Sequence, residues 1–373
     1  MKKALTSLLY LSLLCFIGLV IMLIVDSRSP IIGPLTATMF ISLAIGVRGT
    51  QTIFKSFAFT LWVFSAVTMA MFYPNLFLQV GDFKLSALIV PLIQIIMFGM
   101  GTSLSISDFL GVIKMPKGVI VGLVLQFSVM PLLGISLALT FNFPAEIAAG
   151  VVLIGSSPGG VASNVMAYIA NANLALSVTI TAAGTLLSPF MTPLLMKLLA
   201  GQFVPIDFWA MMWSITKMII IPVILGVLFN RFLHGKMKWL DKSMPVISMV
   251  GIAVIITIIT AAGRDSLMVV GVLLVVAAII HNAAGYFFGY WGGRALGMNE
   301  QDCRTIAIEV GMQNGGMASG IAVEMGKIAT VGLAPAVFGP WMNVTGSTLA
   351  NYWRQKSDKE EVDSAEDVIT PAT

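Results

Sequence analysis

Long apolar runs alternate with short polar or charged punctuation along the whole chain. A helix rises about 1.5 Å per residue, so about 20 apolar residues cross a bilayer. Cutting the runs at charges and at Gly/Pro clusters predicts twelve spans. They cover roughly 4–25, 31–47, 56–78, 85–102, 117–140, 145–170, 174–200, 208–230, 244–262, 267–292, 304–327 and 331–353. Two of these runs are interrupted, and the interruptions repeat one another. Gly155-Ser-Ser-Pro-Gly-Gly-Val-Ala-Ser163 and Gly311-Met-Gln-Asn-Gly-Gly-Met-Ala-Ser319 align without a gap at an offset of 156 residues. The two stretches share Gly155/Gly311, Gly159/Gly315, Gly160/Gly316, Ala162/Ala318 and Ser163/Ser319. Gly, Pro and polar residues at membrane depth free backbone groups from their helical partners. Protein or water must then satisfy those groups. Matching breaks in two halves of an apolar chain point to a transporter binding site.

Composition agrees. The chain is 58% hydrophobic and 10% charged, against about 25% charged in soluble domains, so an all-α polytopic membrane protein is expected. The excess of Lys and Arg reports topology rather than nucleic-acid affinity, because these residues are scattered through short loops. With the N-terminus in the cytoplasm, fifteen basic residues from Lys2 to Lys359 fall inside. Only Arg28, Lys84, Arg264 and Lys327 fall outside. That bias supports twelve crossings with both termini cytoplasmic, in a cell (inner) membrane. The first run follows Met1-Lys-Lys like a signal peptide, but it is too long and no small-x-small site precedes Asp26. An uncleaved helix is expected. Cys15 and Cys303 give neither a disulfide framework nor a metal spacing.

Residues 56–200 and 208–353 hold five predicted spans each. An odd number means that the second copy enters from the opposite side, so the repeats are inverted. Gln126 and Asn282 align at the same offset, each a carboxamide inside an apolar helix. Residues 1–49 form an added N-terminal hairpin, 50–356 the ten-helix unit, and 357–373 an acidic, disordered tail.

Glu309 stands out among the acids because it lies within an apolar run, just before the second break. A carboxylate there costs several kcal/mol unless it is compensated. Arg304 is five residues away and off its helical face. A bound cation is the natural partner; a protonated, packed glutamic acid is the bland alternative. Gln313, Asn314, Ser163, Asn164 and Gln126 supply hard oxygen donors nearby, and Ser177 and Thr181 lie one helical turn apart on one face. Oxygen ligands with a single acid suit a weakly held alkali cation, not zinc or calcium. Singly, each such residue is more often a helix-packing hydrogen bonder. Half-helix N-termini at the breaks favour anions, and Gly159, Gly160, Gly315 and Gly316 allow close approach of a ligand to the backbone. No Gly-x-Ser-x-Gly motif frames Ser156 or Ser163, so an enzyme is not expected, and His281 is read as a packing residue.

Residues 155–166, 175–181 (Ala-Leu-Ser-Val-Thr-Ile-Thr) and 308–316 (Ile-Glu-Val-Gly-Met-Gln-Asn-Gly-Gly) resemble the bile acid:sodium symporter family. So do 125–127, 281–286 and 343–347, and the resemblance spans about 56–353. It implies a ten-helix fold with panel and core domains and two crossed discontinuous helices. It also implies two sodium ions as coupling ions, with no other cofactor. By matched position, one sodium site comprises Ser163, Asn164, Ser177, Thr181 and Glu309. The other comprises Gln126, Glu309, Gln313 and the carbonyls of Val310 and Met312. Asn314 and Asn343 match substrate-cavity positions. Val161 stands where relatives can carry a threonine, and Met342 where some carry a histidine, so the substrate stays open between bile-acid-like and small carboxylates such as pantoate. The implied activity is sodium:organic-anion symport by alternating access. Proton coupling or export on the same fold is the alternative.

Overall fold

The computed structural model describes residues 2–26, 29–47, 57–233 and 238–369. Arg28, Arg48, Lys55 and Lys236 of the charge argument lie outside the described residues. The chain is helical almost throughout. A hairpin of α1 (Lys2–Val25) and α2 (Ile32–Gly46) precedes α3 (Ala58–Phe72) and α4 (Ile89–Thr102). Then come α5 (Ile106–Lys114), α6 (Pro116–Thr140), α7 (Ala145–Gly155), α8 (Ala162–Ile169) and α9 (Leu174–Leu195). The second half holds α10 (Phe208–Ile215), α11 (Ile221–Leu233), α12 (Lys238–Ala262) and α13 (Arg264–Ala295). It ends with α14 (Glu300–Gly311), α15 (Gly315–Glu324) and α16 (Leu333–Ile369). One two-residue hairpin, β1 (Gln79–Val80) with β2 (Phe83–Lys84), joins α3 to α4.

Every predicted apolar run thus holds a helix or a broken pair. Seven helices among the described residues are long and apolar enough to cross a membrane unaided. Ile32–Gly46, Ala58–Phe72 and Ala145–Gly155 are apolar but short. The chain is a multi-pass membrane protein. Asn343, Thr345, Ser347 and Asn351 dilute the apolar character of α16. Their polarity is turned inward: Thr345 donates to Asn282 and Asn351 to Ser347.

Two findings differ from the sequence reading. The amphipathic helix α5 lies between two predicted spans, started by a capping box in which Ser105 and Asp108 bond each other's backbone. The last helix continues to Ile369, through most of the segment whose acidic composition predicts a disordered tail.

Packing sorts the helices. α1 lies on α2, α2 on α3, and α3 and α4 on α12, while α4 also packs along α11. Separately, α13 packs along α14 and α6, α6 along α7 and α9, and α16 along α13, α7, α8 and α15. Glycines set some of these distances. A Cβ on Gly101 would sit 2.3 Å from the Val223 carbonyl, and one on Gly226 2.3 Å from the Phe98 carbonyl. The backbones of α4 and α11 therefore touch, as small residues permit between membrane helices. Gly101→Val is expected to lower the melting temperature, with an overpacking cost of about 1–3 kcal/mol. Gly339→Ala meets nothing within 4 Å and serves as the neutral control. Equal melting curves would show that these two helices are not in contact.

Candidate functional site

Each break begins where a half-helix runs out of residues able to continue it. α7 ends at Gly155, and Pro158, which has no N–H to donate, follows shortly. α14 ends at Gly311, and Asn314 then starts α15 by accepting the Met317 N–H on Oδ1 at 3.0 Å. The two extended segments run side by side in opposite directions. Gly159 bridges Gln313. The Gly160 N–H donates to the Met312 carbonyl at 2.8 Å, and the Asn314 N–H to the Pro158 carbonyl at 2.8 Å. Each break thereby satisfies backbone groups that the other leaves without helical partners. Pro158 and Asn314 lie at the 156-residue offset, so the breaks meet at equivalent positions.

The carboxamides complete this arrangement. Gln126 on α6 donates to the Ser157 carbonyl at 2.7 Å, and Asn282 on α13 donates to the Gly311 carbonyl at 2.8 Å. Gly311 is the last residue of its half-helix and Ser157 lies two residues past the end of the other, so neither carbonyl has an intrahelical donor. Gln126 also donates to Gln313 Oε1 at 2.5 Å, and Gln313 Nε2 donates to the Val310 carbonyl at 2.6 Å. The residues expected around a second cation are therefore adjacent. The Met312 carbonyl already accepts from Gly160, and the Val310 carbonyl from Gln313. Ser157 is the participant missed in the sequence. Its signal was available, because it stands at the same offset from Gln313.

Glu309 is 1% exposed and forms no salt bridge among the described residues. Arg304 instead donates to Glu300 at 2.9 Å and to the Ser357 hydroxyl at 2.7 Å. Three hydroxyls surround the carboxylate. Ser163 and Ser177 donate to Oε1 at 2.6 and 2.5 Å, and Thr181 to Oε2 at 2.8 Å. The same oxygens face other acceptors. Ser163 Oγ lies 2.6 Å from the Gly160 carbonyl, Ser177 Oγ 2.8 Å and Thr181 Oγ1 3.2 Å from Asn164 Oδ1. A hydroxyl has one proton. Three protons thus face six acceptor contacts, and half of the contacts bring oxygen to oxygen with no hydrogen between. Oxygen acceptors therefore outnumber hydroxyl protons around this buried carboxylate, the donor chemistry that suits a small hard cation. Ser163, Asn164, Ser177, Thr181 and Glu309 come together from α8, α9 and α14.

The glycines divide into two kinds. A Cβ on Gly159 would lie 2.8 Å from Glu309 Oε2, and one on Gly160 3.0 Å from the Gln313 carbonyl. These two serve the approach of the breaks to each other. On Gly315 the nearest atom would be the Pro335 carbonyl at 3.4 Å, and on Gly316 Asn314 Oδ1 at 3.5 Å. Here the start of α15 has room beside it. Asn314 Nδ2 is buried with no hydrogen-bond partner among the described residues. Val161 begins α8 and is half-buried, as is Asn343 on α16. Met342, next to it, accepts from the Gln313 N–H on sulfur at 3.2 Å. The His281 and Phe338 ring centroids lie 5.4 Å apart, with Nε2 3.1 Å from the Met130 carbonyl; Nδ1 has no partner among the described residues.

Oxygen donors gathered where two interrupted membrane helices meet define a class, the polytopic carriers that bind solutes between helices. Residues 90–270 match the Sodium Bile acid symporter family. The chain is 36% identical over 312 residues to the uncharacterized sodium-dependent transporter YocS of Bacillus subtilis (strain 168), covering 83% of this chain and 95% of that protein. It is 36% identical over 304 residues to the probable chloroplastic sodium/metabolite cotransporter BASS1 of Oryza sativa subsp. japonica, covering 80% of this chain and 73% of that protein. It is 33% identical over 247 residues to the human ileal sodium/bile acid cotransporter, covering 64% of this chain and 69% of that protein. The chain belongs to the sodium bile acid symporter family. That family is one of transporters, and the chain is not an enzyme.

Proposed function

We propose that the chain is a sodium-driven symporter of an organic anion, working by alternating access in the cell (inner) membrane with both termini cytoplasmic. The observation that carries this reading is the uncompensated Glu309 carboxylate, held among Ser163, Ser177, Thr181 and Asn164 oxygens at the meeting of two broken helices. Sodium neutralises Glu309 there. A second sodium uses Gln126, Gln313, Glu309 and the carbonyls of Val310 and Met312, once the Gln313 amide has turned from Val310. The anion sits against the start of α15, read by Asn314 and Asn343, with Val161, Gly159, Gly160, Gly315 and Gly316 shaping the space. Its class is bile-acid-like or a small carboxylate such as pantoate; the names of the relatives cited above speak of bile acid and of metabolites.

The ten-helix unit (50–356) divides into a panel of α3, α4 and α10–α12 and a core of α6–α9 and α13–α16. The repeats (56–200 and 208–353) are inverted. Pairing of Pro158 with Asn314 at the breaks supports this symmetry, and the packing of α3, α4, α11 and α12 on one another supports the panel. The core rocks against the panel around the crossed breaks. Residues 1–49 are an added hairpin, and residues up to Ile369 extend α16 beyond the transporter unit. Sodium orders the breaks that also hold the anion, so each ligand raises the affinity of the other by the same factor.

Two measurements test this. Uptake into proteoliposomes should require a sodium gradient at fixed pH. Unchanged uptake with sodium replaced by choline would favour proton coupling, and release against the gradient would favour export. Sodium should also raise the melting temperature of the purified protein, by the equivalent of about 2.7 kcal/mol at a hundredfold excess over its dissociation constant. Potassium or choline at equal ionic strength should not.

A further inference from the structure

A second cavity lies far along the chain from the breaks. It occupies about 890 Å³ between α3 and α12 and under the α3–α4 connection. Its walls include Phe59, Ala66, Phe77, Leu88, Ala253 and Ile258. No charged residue lines it, and the hydroxyl of Thr257 already donates to the Ala253 carbonyl at 2.6 Å. An ionised organic anion would therefore find nothing to replace its lost hydration. The volume is near the upper end of small-molecule sites, about 300–1,000 Å³, but those sites carry a few placed polar groups and this one does not. The occupant is apolar along its whole length.

The shape and the setting narrow it further. Lining residues on α12 run from Val246 to Ile258. Twelve steps of helical rise cover about 18 Å, a little more than half of a hydrocarbon core of about 30 Å. The cavity is open along one side. Trp62, Val246, Met249 and Val250 on its rim are 38%, 54%, 40% and 58% exposed. The α12 wall lies on a helix long and apolar enough to cross the bilayer, and the α3 wall on a shorter apolar helix packed along it, so the open side is turned toward hydrocarbon. A slot one leaflet long, wholly apolar and open to the bilayer matches an acyl chain.

We propose that the groove between α3 and α12 is a specific seat for one acyl chain of a membrane lipid, distinct from the place where the transported anion binds. Held there, the chain fills the space between two helices that otherwise meet only in part.

The test uses the full-length protein in lipid vesicles and a phospholipid carrying a photoreactive diazirine midway along one acyl chain. Labelled peptides are mapped after irradiation. Label should concentrate on 58–66 and 246–258 and stay low on α1, where Leu14 and Ile21 are 65% and 53% exposed but form no groove. Filling the groove with Ala253→Trp should cut that label about tenfold, the loss expected when roughly two methylenes lose their burial. Ala66→Phe, from the opposite wall, should act in the same direction if Ala253→Trp fails to give a monodisperse protein. Label spread evenly over every exposed apolar face, or left unchanged in a well-folded filled variant, would overturn the proposal. So would a crosslink joining the groove to a second copy, or competition of the label by the transported anion. None of these outcomes depends on sodium coupling, so they leave the reading of the breaks untouched.

Discussion

Glu309→Ala should abolish sodium-dependent uptake while the protein still inserts and stays monodisperse. Both carboxylate oxygens accept hydroxyl bonds at 2.5–2.8 Å in a place that is 1% exposed. Removing one member of a buried, compensated charge pair costs about 3–5 kcal/mol. That energy corresponds to a sodium affinity weaker by about 100-fold or more. The three hydroxyls lose their acceptor but keep others, the Gly160 carbonyl and Asn164 Oδ1. The fold should therefore tolerate the change better than the function does. Glu309→Gln separates charge from size. It keeps the oxygen and the volume, so retention of sodium-driven uptake by this variant would mean that the carboxylate charge is not what draws the ion. Flux and the sodium-induced melting shift should fall together in both variants.

Gly159→Ala is the second large effect, and it is a geometric one. The added methyl would sit 2.8 Å from Glu309 Oε2, closer than real Cβ contacts come, and 3.4 Å from the Glu309 carbonyl. Either the carboxylate turns away from Ser163, Ser177 and Thr181, or the two breaks separate and lose the Gly160–Met312 and Asn314–Pro158 bonds. Each route removes the oxygen cluster. A strained contact of this kind costs about 1–3 kcal/mol, so sodium affinity should drop roughly tenfold to a hundredfold. Gly316→Ala is the informative contrast. It has the same composition change in the equivalent motif, but its methyl meets only Asn314 Oδ1 at 3.5 Å. It should keep sodium binding and alter anion affinity instead. Equal sodium affinities in wild type and Gly159→Ala, measured by calorimetry, would contradict the geometry.

Much of this arrangement is legible in the bare sequence, and the reasons are local. A lone acid in an apolar run, hydroxyls one turn apart at Ser177 and Thr181, and twin Gly-rich interruptions all leave marks that survive without coordinates. Interruption predicts a break because Gly and Pro fail locally. It does not predict which freed carbonyl meets which N–H. That is why the pairing of Gly160 with Met312, and the role of the Ser157 carbonyl, emerge only from tertiary contact. The four motif glycines look alike in sequence but separate by what surrounds them, two pressed against the other break and two where a methyl would meet only ordinary contacts. Helix α5 leaves little mark in the sequence although Ser105 and Asp108 form a capping box, because a short amphipathic helix is hidden between two long apolar runs. The tail misled in the other direction. Its acidic composition speaks against order, yet α16 extends its backbone to Ile369.

The central claim is that an alkali cation is held by Glu309 with Ser163, Asn164, Ser177 and Thr181. A crystal of the protein grown in sodium and exchanged into thallium, an electron-rich monovalent substitute, tests it most directly by anomalous scattering. The account predicts a peak within bonding distance of those five residues that fades when sodium is returned. Thallium bound elsewhere, with that cluster empty and its hydrogen bonds unchanged, would contradict it.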